Sequence, residues 1–272
     1  MHVLLNLWLL LPAAVRLATY NVLIHIGLRL YGSTPSPRSF RLPFNMYAKV
    51  GLHVYMSEGD AMRLVAKHTT IPIPSVIDAI PVPTGAFIVM TRVPGEPLGA
   101  ALMTMSDEEC SQLASDLKKC FDQLRSIPAP STGLQICGVG GGPFRCFRIT
   151  SNPVGPFETE SDLYRYLYEY SYSTERAHLE EFGRAVHSTP HRICLSHNDL
   201  TPFNILIDSN HRLTAIVDWE CTAWLPEYWD YTRSYFHRDS YHAWQHLMDG
   251  IFGLWPEELE VERELWKYND PL

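Results

Sequence analysis

Ser196-His197-Asn198-Asp199-Leu200-Thr201-Pro202-Phe203-Asn204-Ile205-Leu206, with Ile216-Val217-Asp218-Trp219-Glu220 shortly after it, decides how the rest of the chain is read. It sets an acid, an amide and a second acid between apolar runs. Asp199 and Asn204 are five residues apart. Phosphoryl transfer uses this spacing, with the Asp orienting an attacking hydroxyl and the Asn holding a magnesium ion. Asp218 follows Asn204 by 14 residues, at the end of a short apolar run, where the other metal-binding carboxylate is expected. This chemistry needs positioned groups and neutralised charge more than covalent help, so a few acids can form most of the machinery.

A His-x-Asp triplet alone is common, and an Asp before Trp also caps ordinary turns. The joint pattern is more selective. Asn204 to Asp208 reads as a strand entering the turn Ser209-Asn210, and Leu213 to Val217 as its return strand. Such a hairpin presents Asn204 and Asp218 at its two open ends.

The surrounding composition is that of a globular enzyme. The chain has 272 residues, 46% apolar and 19% charged, enough for a large core and one catalytic unit. Its net charge of −8, without a basic run, argues against a nucleic-acid partner. Six scattered cysteines without a Cys-x-x-Cys pair point to reduced thiols and a cytoplasmic location rather than disulfides or zinc. His187 and His191 are separated by Pro190, which argues against a shared helical face.

The first thirty residues read three ways. Two apolar runs, Val3 to Ala14 and Leu17 to Leu28, are interrupted by Pro12 and Arg16. They suit a helical extension packed on the main body, a membrane-surface or spanning anchor, or a signal sequence, although no Lys or Arg precedes the first run. Arg16, Asn21, His25 and Arg29 scatter around a helical wheel, so the amphipathic signal is poor. Residues 31–40 form a Pro/Ser linker. Strands are expected at Arg41 to Phe44 and Met46 to Val50, turning at Asn45, and at Ser75 to Ile80 and Ala86 to Thr91. A helix is expected over Asp60 to His68. Helical signals then dominate. Ser106 with Glu109 forms a capping box for a helix reaching about Ser126, stopped by Ile127-Pro128. Residues 131–158 read as a long ordered loop or short strands; Gly140-Gly141-Gly142 lacks the Gly-Lys-Ser/Thr ending of a phosphate loop. Further helices are expected over Glu160 to Tyr170, Thr174 to Val186, Tyr228 to Phe236 and Tyr241 to Ile251. The acids Glu257, Glu258, Glu260, Glu262 and Glu264 read as a solvated helix face.

HNDLTPFNIL and IVDWECTAWLPEYWDY together resemble the aminoglycoside phosphotransferase and choline kinase-like family, in its fungal branch. Ala48-Lys49-Val50-Gly51, Ile71-Pro72-Ile73-Pro74, Thr91-Arg92-Val93-Pro94-Gly95 and Gly141-Gly142-Pro143-Phe144-Arg145 fall in the same family order, so the likeness covers roughly residues 41 to 240. The resemblance implies an α+β, two-lobed protein-kinase-like fold: residues 1–40 an apolar helical extension and linker, 41–95 a small antiparallel-sheet lobe and hinge, and 96–272 a mainly helical lobe with the catalytic loop. It implies ATP or GTP as donor, Mg2+, and a small alcohol as acceptor. A nucleotide-binding scaffold without turnover is the alternative, because no glycine-rich hairpin precedes Lys49.

The resemblance also distributes roles. Asp199 is the expected catalytic residue, and Asn204 and Asp218 the metal ligands. Lys49 is expected to meet the α- and β-phosphates, with Met90 and Arg92 in the nucleotide-binding hinge. Counting back from Ile71-Pro72 selects Asp60 as the acid partner of Lys49, with Glu58 the alternative. His197 is expected to support the loop from within and Asp230 to prop it. Glu220 is either a second carboxylate near the metal or a surface turn residue. Asn198 stands where the family commonly has Gly, and Asn also occurs in the choline kinase-like branch.

Overall fold

The computed structural model describes residues 2–131, 133–171, 174–236 and 242–268. Tyr241, the expected start of a helix, lies outside them, as does Thr132 within the expected loop. The chain begins with α1 (His2–Leu9) and α2 (Ala13–Tyr31), broken at Pro12, which has no N–H to continue a helix. Next come β1 (Ser39–Leu42), β2 (Met46–Gly51), α3 (Met56–His68), β3 (Val76–Val82) and β4 (Gly85–Thr91). The four strands form one antiparallel sheet in the order β1-β2-β4-β3. The turn between β1 and β2 places Phe44 and Asn45 at φ 61° and 56°, a region that Asn tolerates better than most residues.

Period-two alternation gives this sheet two apolar faces. Ala48, Phe87, Val89 and Ile80 pack on Tyr20 and Ile24 of α2. Ala86, Ile88 and Met90 instead join Ala61, Met62 and Val65 of α3. The extension is therefore the second cover of the sheet. Gly27 lies so close to the Arg41 carbonyl that a Cβ would overlap it. Arg16 of α2 pairs with the buried carboxylate of Asp78 on β3.

The remainder comprises β5 (Glu96–Pro97), α4 (Leu98–Ala101), α5 (Asp107–Arg125), β6 (Cys137–Gly138), β7 (Phe144–Cys146), β8 (Thr150–Val154), α6 (Glu160–Tyr170), α7 (Arg176–His187), β9 (Ile193–Ser196), β10 (Ile205–Ile207), β11 (Leu213–Ile216), β12 (Ala223–Pro226), α8 (Trp229–Tyr235), α9 (His242–Phe252) and α10 (Pro256–Trp266). The Ser106 capping box is present, with Glu109 N–H donating to Ser106 at 3.3 Å and Ser106 N–H to the Glu109 carboxylate at 2.8 Å. Thr159 and Asp162 repeat the device at α6. Residues 131–158 resolve into the short strands β6, β7 and β8.

The expected hairpin forms as β10 and β11, with Ile205 opposite Ile216. Its third strand is β5, the segment leaving the small sheet, which pairs Pro97 with Leu206 and Glu96 with Ile207. A single apolar cluster runs from α3 and β4 through Leu113, Leu117 and Phe121 of α5 to Trp219, Trp244 and Leu247. This fold is the α+β, kinase-like arrangement expected.

The acidic face expected on α10 requires correction. Glu257 and Glu260 are exposed, but Glu262 shares the inner side of the helix with Leu259 and Leu265 and is fully buried. It forms an ion pair with the equally buried Arg148, whose guanidinium lies 4.0 Å from the centre of the Trp229 ring. Burying an unpaired carboxylate would be far costlier, so the Arg is the condition for that residue's place.

Candidate active site

Strand β9 delivers the chain into His197-Asn198-Asp199, all three set against the start of α8. The Asp230 carboxylate accepts the backbone N–H of His197 at 3.2 Å and of Asn198 at 2.8 Å. Both bonds hold the backbone of the loop against α8. Asn198 adopts a left-handed conformation, φ 63°, and is fully buried. Its amide donates to the carbonyls of Arg145 (2.7 Å) and Cys221 (2.9 Å), and its Oδ1 accepts from Trp229 Nε1 at 2.9 Å. Glycine would allow the same backbone. Asn also satisfies three buried polar groups around it.

His197 is buried and braced at both ring nitrogens. Nδ1 accepts from the Asp199 N–H at 3.3 Å, which leaves Nε2 to donate to the Val217 carbonyl at 3.0 Å. Burial lowers its pKa, in keeping with this neutral form. The ring therefore ties the loop of Asp199 to the strand end that carries Asp218.

Asp218 follows β11 at φ 66°, one residue beyond the Val217 N–H that donates to the Asn204 carbonyl at 2.9 Å. That bond closes the open end of the hairpin and sets Asn204 beside Val217. Asn204 Nδ2 donates to the Asp199 carbonyl at 2.8 Å, which leaves its Oδ1 as the atom suited to a cation. Asp199 in turn receives the guanidinium of Arg233 on Oδ1 at 2.6 Å, an ion pair largely shielded from solvent. The sequence reading did not single out Arg233. A signal was present, since it lies three residues after Asp230 and so shares that residue's side of α8.

Lys49, 169 positions away on β2, reaches the same place. Its Nζ lies 2.8 Å from Asp218 Oδ1 and 2.6 Å from Glu58 Oε1. Burial alone would lower the Lys49 pKa, but the two carboxylates outweigh it and raise it. For Asp218 burial pushes upward, and the charge and hydrogen bond of Lys49 reverse this to a lowered pKa. Burial is also the largest influence on Glu58; it raises that carboxyl against the pull of Lys49, with Asp218 adding to the rise.

The acid partner of Lys49 is therefore Glu58, and the expectation of Asp60 is corrected. Helix α3 begins at Met56, a full turn before the expected start, which turns Glu58 inward with Ala61, Met62 and Val65. Asp60 faces solvent and pairs with Arg63 at 3.1 Å. Glu220 is shielded rather than on an open turn. Its carboxylate lies 3.5 Å from Arg145, and burial, then Asp218, raise its pKa. Arg145 also donates to the His53 carbonyl at 2.8 Å, joining the loop after β2 to this corner.

The hinge residues sit less simply. Met90 is buried opposite Tyr47 within the sheet. Arg92 has its backbone N–H on the Asn45 carbonyl at 2.8 Å, and its own carbonyl accepts from Asn45 Nδ2 at 3.2 Å. Those two backbone groups hold the turn between β1 and β2.

The donor set fits a hard cation: an amide oxygen and a carboxylate at the two ends of one hairpin, with a second carboxylate nearby. Among the described residues, no group of three or more His, Cys, Asp or Glu is arranged to hold a metal by itself. Such a set suits an ion that takes its remaining ligands from substrate oxygens and water.

The fold has solved relatives. An aminoglycoside phosphotransferase, APH(4)-Ia, in ternary complex with ADP and hygromycin B superposes with a TM-score of 0.60 at 14% identity, covering 89% of this chain and 88% of that one. The streptomycin–ATP complex of APH(2")-IIa gives a TM-score of 0.57 at 16% identity, covering 94% and 86%. ADP-bound APH(2'')-Ib gives 0.53 at 15%, covering 89% and 84%. No curated protein sequence matches the chain. The model of the phosphotransferase enzyme family matches residues 48–264, from the residue before Lys49 into the last turn of α10, and the chain belongs to that family.

Proposed function

We propose that this phosphotransferase is a magnesium-dependent kinase that moves the γ-phosphate of ATP, or of GTP, to a hydroxyl of a small acceptor. The observation carrying this reading is the contact of Lys49 with Asp218 at 2.8 Å, within one hydrogen-bonded network with Asn204 and Asp199. The solved relatives named above hold ADP or ATP.

In this reading Lys49 meets the α- and β-phosphates, held upright by Glu58. Asn204 and Asp218 hold Mg2+, which neutralises phosphate charge when bound. Asp199 accepts a hydrogen bond from the acceptor hydroxyl and aims its oxygen in line with the γ-phosphorus. Arg233 fixes the Asp199 carboxylate through Oδ1. Met90 and the chain beside Arg92 face the base. Reduced, mostly buried cysteines suit a cytoplasmic enzyme, with the apolar start of the chain available for contact with a membrane.

One observation favours a scaffold that binds nucleotide without turnover. Among the described residues no strand precedes β1 in the small sheet, so no hairpin of that sheet covers the phosphates. The test is ATP consumption across a broad panel of alcohols, with Asp199→Ala as blank. Kinase chemistry predicts turnover that falls by about 10²–10⁴ in Asp199→Ala, with nucleotide affinity retained, and that stops in Asp218→Ala. Nucleotide binding without turnover of any acceptor would leave the scaffold.

A further inference from the structure

Helix α2 has two apolar sides, and only one is used. Tyr20, Ile24 and Gly27 face the sheet. Val15, Val22, Ile26 and Leu30, spaced by seven, four and four residues, share the opposite side. They are 47%, 58%, 40% and 62% exposed. Just before the corner at Pro12, Leu10 is 80% exposed. The inner side is anchored by the Arg16–Asp78 ion pair and the close approach of Gly27 to β1, so the outer stripe is held outward by the fold. A stripe of this kind on a packed helix marks a surface that something else covers.

Charge points to the occupant. Every acid of the chain lies at Glu58 or beyond; of the cations before it, Arg16 and Lys49 are held by Asp78 and by Glu58 and Asp218, which leaves Arg29, Arg38 and Arg41. Arg29 is exposed and borders the stripe, one residue before Leu30. A second copy docked about a two-fold axis would bring Arg29 towards its own equivalent, with no acid in the segment to answer it. An anionic lipid surface accepts both features, taking the leucine, isoleucine and valine side chains below the headgroups and the Arg29 guanidinium among the phosphates. No helix among the described residues is long and apolar enough to cross a membrane. We propose that the outer stripe of α2 docks this protein, helix axis in the plane, on an anionic lipid surface. The proposal rests on the membrane contact named above and is independent of the phosphoryl chemistry.

The test is co-sedimentation of the full chain with vesicles of phosphatidylcholine, alone or mixed with phosphatidylserine, at low and high salt and without nucleotide or acceptor. The expected result is binding to the mixed vesicles that salt weakens and that Val22→Asp/Ile26→Asp reduces by about tenfold or more. Leu30→Ser serves as a milder second variant, and unchanged circular dichroism shows that both fold. Equal partition of wild type and the double variant overturns the proposal, as does no binding to mixed vesicles. So does a dimer by light scattering that the double variant dissolves. ATP turnover, measured separately without lipid, keeps failure here distinct from failure of the kinase reading.

Discussion

Replacing Asn198 by glycine separates its two duties. Glycine keeps the left-handed backbone at φ 63°, and the Asn198 N–H stays on Asp230. Lost are the three side-chain bonds to the carbonyls of Arg145 and Cys221 and from the Trp229 indole N–H. Each buried bond contributes about 1 kcal/mol, and an orphaned buried donor costs about 1–3 kcal/mol. Asn198→Gly is therefore expected to destabilise the protein by roughly 3–4 kcal/mol. Asn198→Ala loses the same bonds and sets a Cβ in the left-handed region, so it should fall about 1 kcal/mol further. Urea denaturation followed by tryptophan fluorescence reads both, because Trp229 is one of the partners. An Asn198→Gly protein as stable as wild type would refute the reasoning, and so would an alanine variant more stable than the glycine one.

Three more outcomes are expected. Burial raises the Glu58 carboxyl above its ordinary value against the pull of Lys49, so as pH rises past that ordinary value the folded chain keeps more proton there than the unfolded chain. Stability should fall as pH rises through this window; melting curves of Glu58→Gln should lack that slope, and a parallel profile would remove Glu58 as its source. Asp60→Ala should change stability by no more than about 0.5 kcal/mol, because its pair with Arg63 is exposed. It should also leave nucleotide KM unchanged, whereas Glu58→Ala should raise that KM about tenfold or more. Arg148→Met strands the Glu262 carboxylate in the core and should cost about 3–5 kcal/mol, much of it recovered in Arg148→Met/Glu262→Leu; chemical denaturation of the single and double variants measures both.

Much of this molecule was readable in advance, for physical reasons that differ by element. The hairpin showed because turn residues separate two apolar runs, and α5 because Ser106 and Glu109 announce its first turn. The placing of Asn204 beside Val217 and Asp218 followed from the hairpin, since pairing fixes what stands at its open end. Position within a helix was harder. Asp60 was preferred to Glu58 because spacing alone does not say which side of α3 meets the core, and the start of α3 at Met56 decided it. The acids of α10 looked solvated as a group, although Glu262 keeps step with Leu259 and Leu265. The weak amphipathic signal of α2 has a simple cause: two apolar sides cancel in any one-sided measure. Arg233 was missed because nothing in the sequence says that α8 lies against the loop of Asp199.

The segment that joins the two lobes is itself a strand. Glu96 and Pro97 are laid along β10, whose first residue, Ile205, follows Asn204 directly. The connection out of the small sheet is therefore hydrogen-bonded into the same three-stranded ribbon as the strand that follows Asn204. The exit from the small sheet and the residue before Ile205 thus belong to one hydrogen-bonded ribbon.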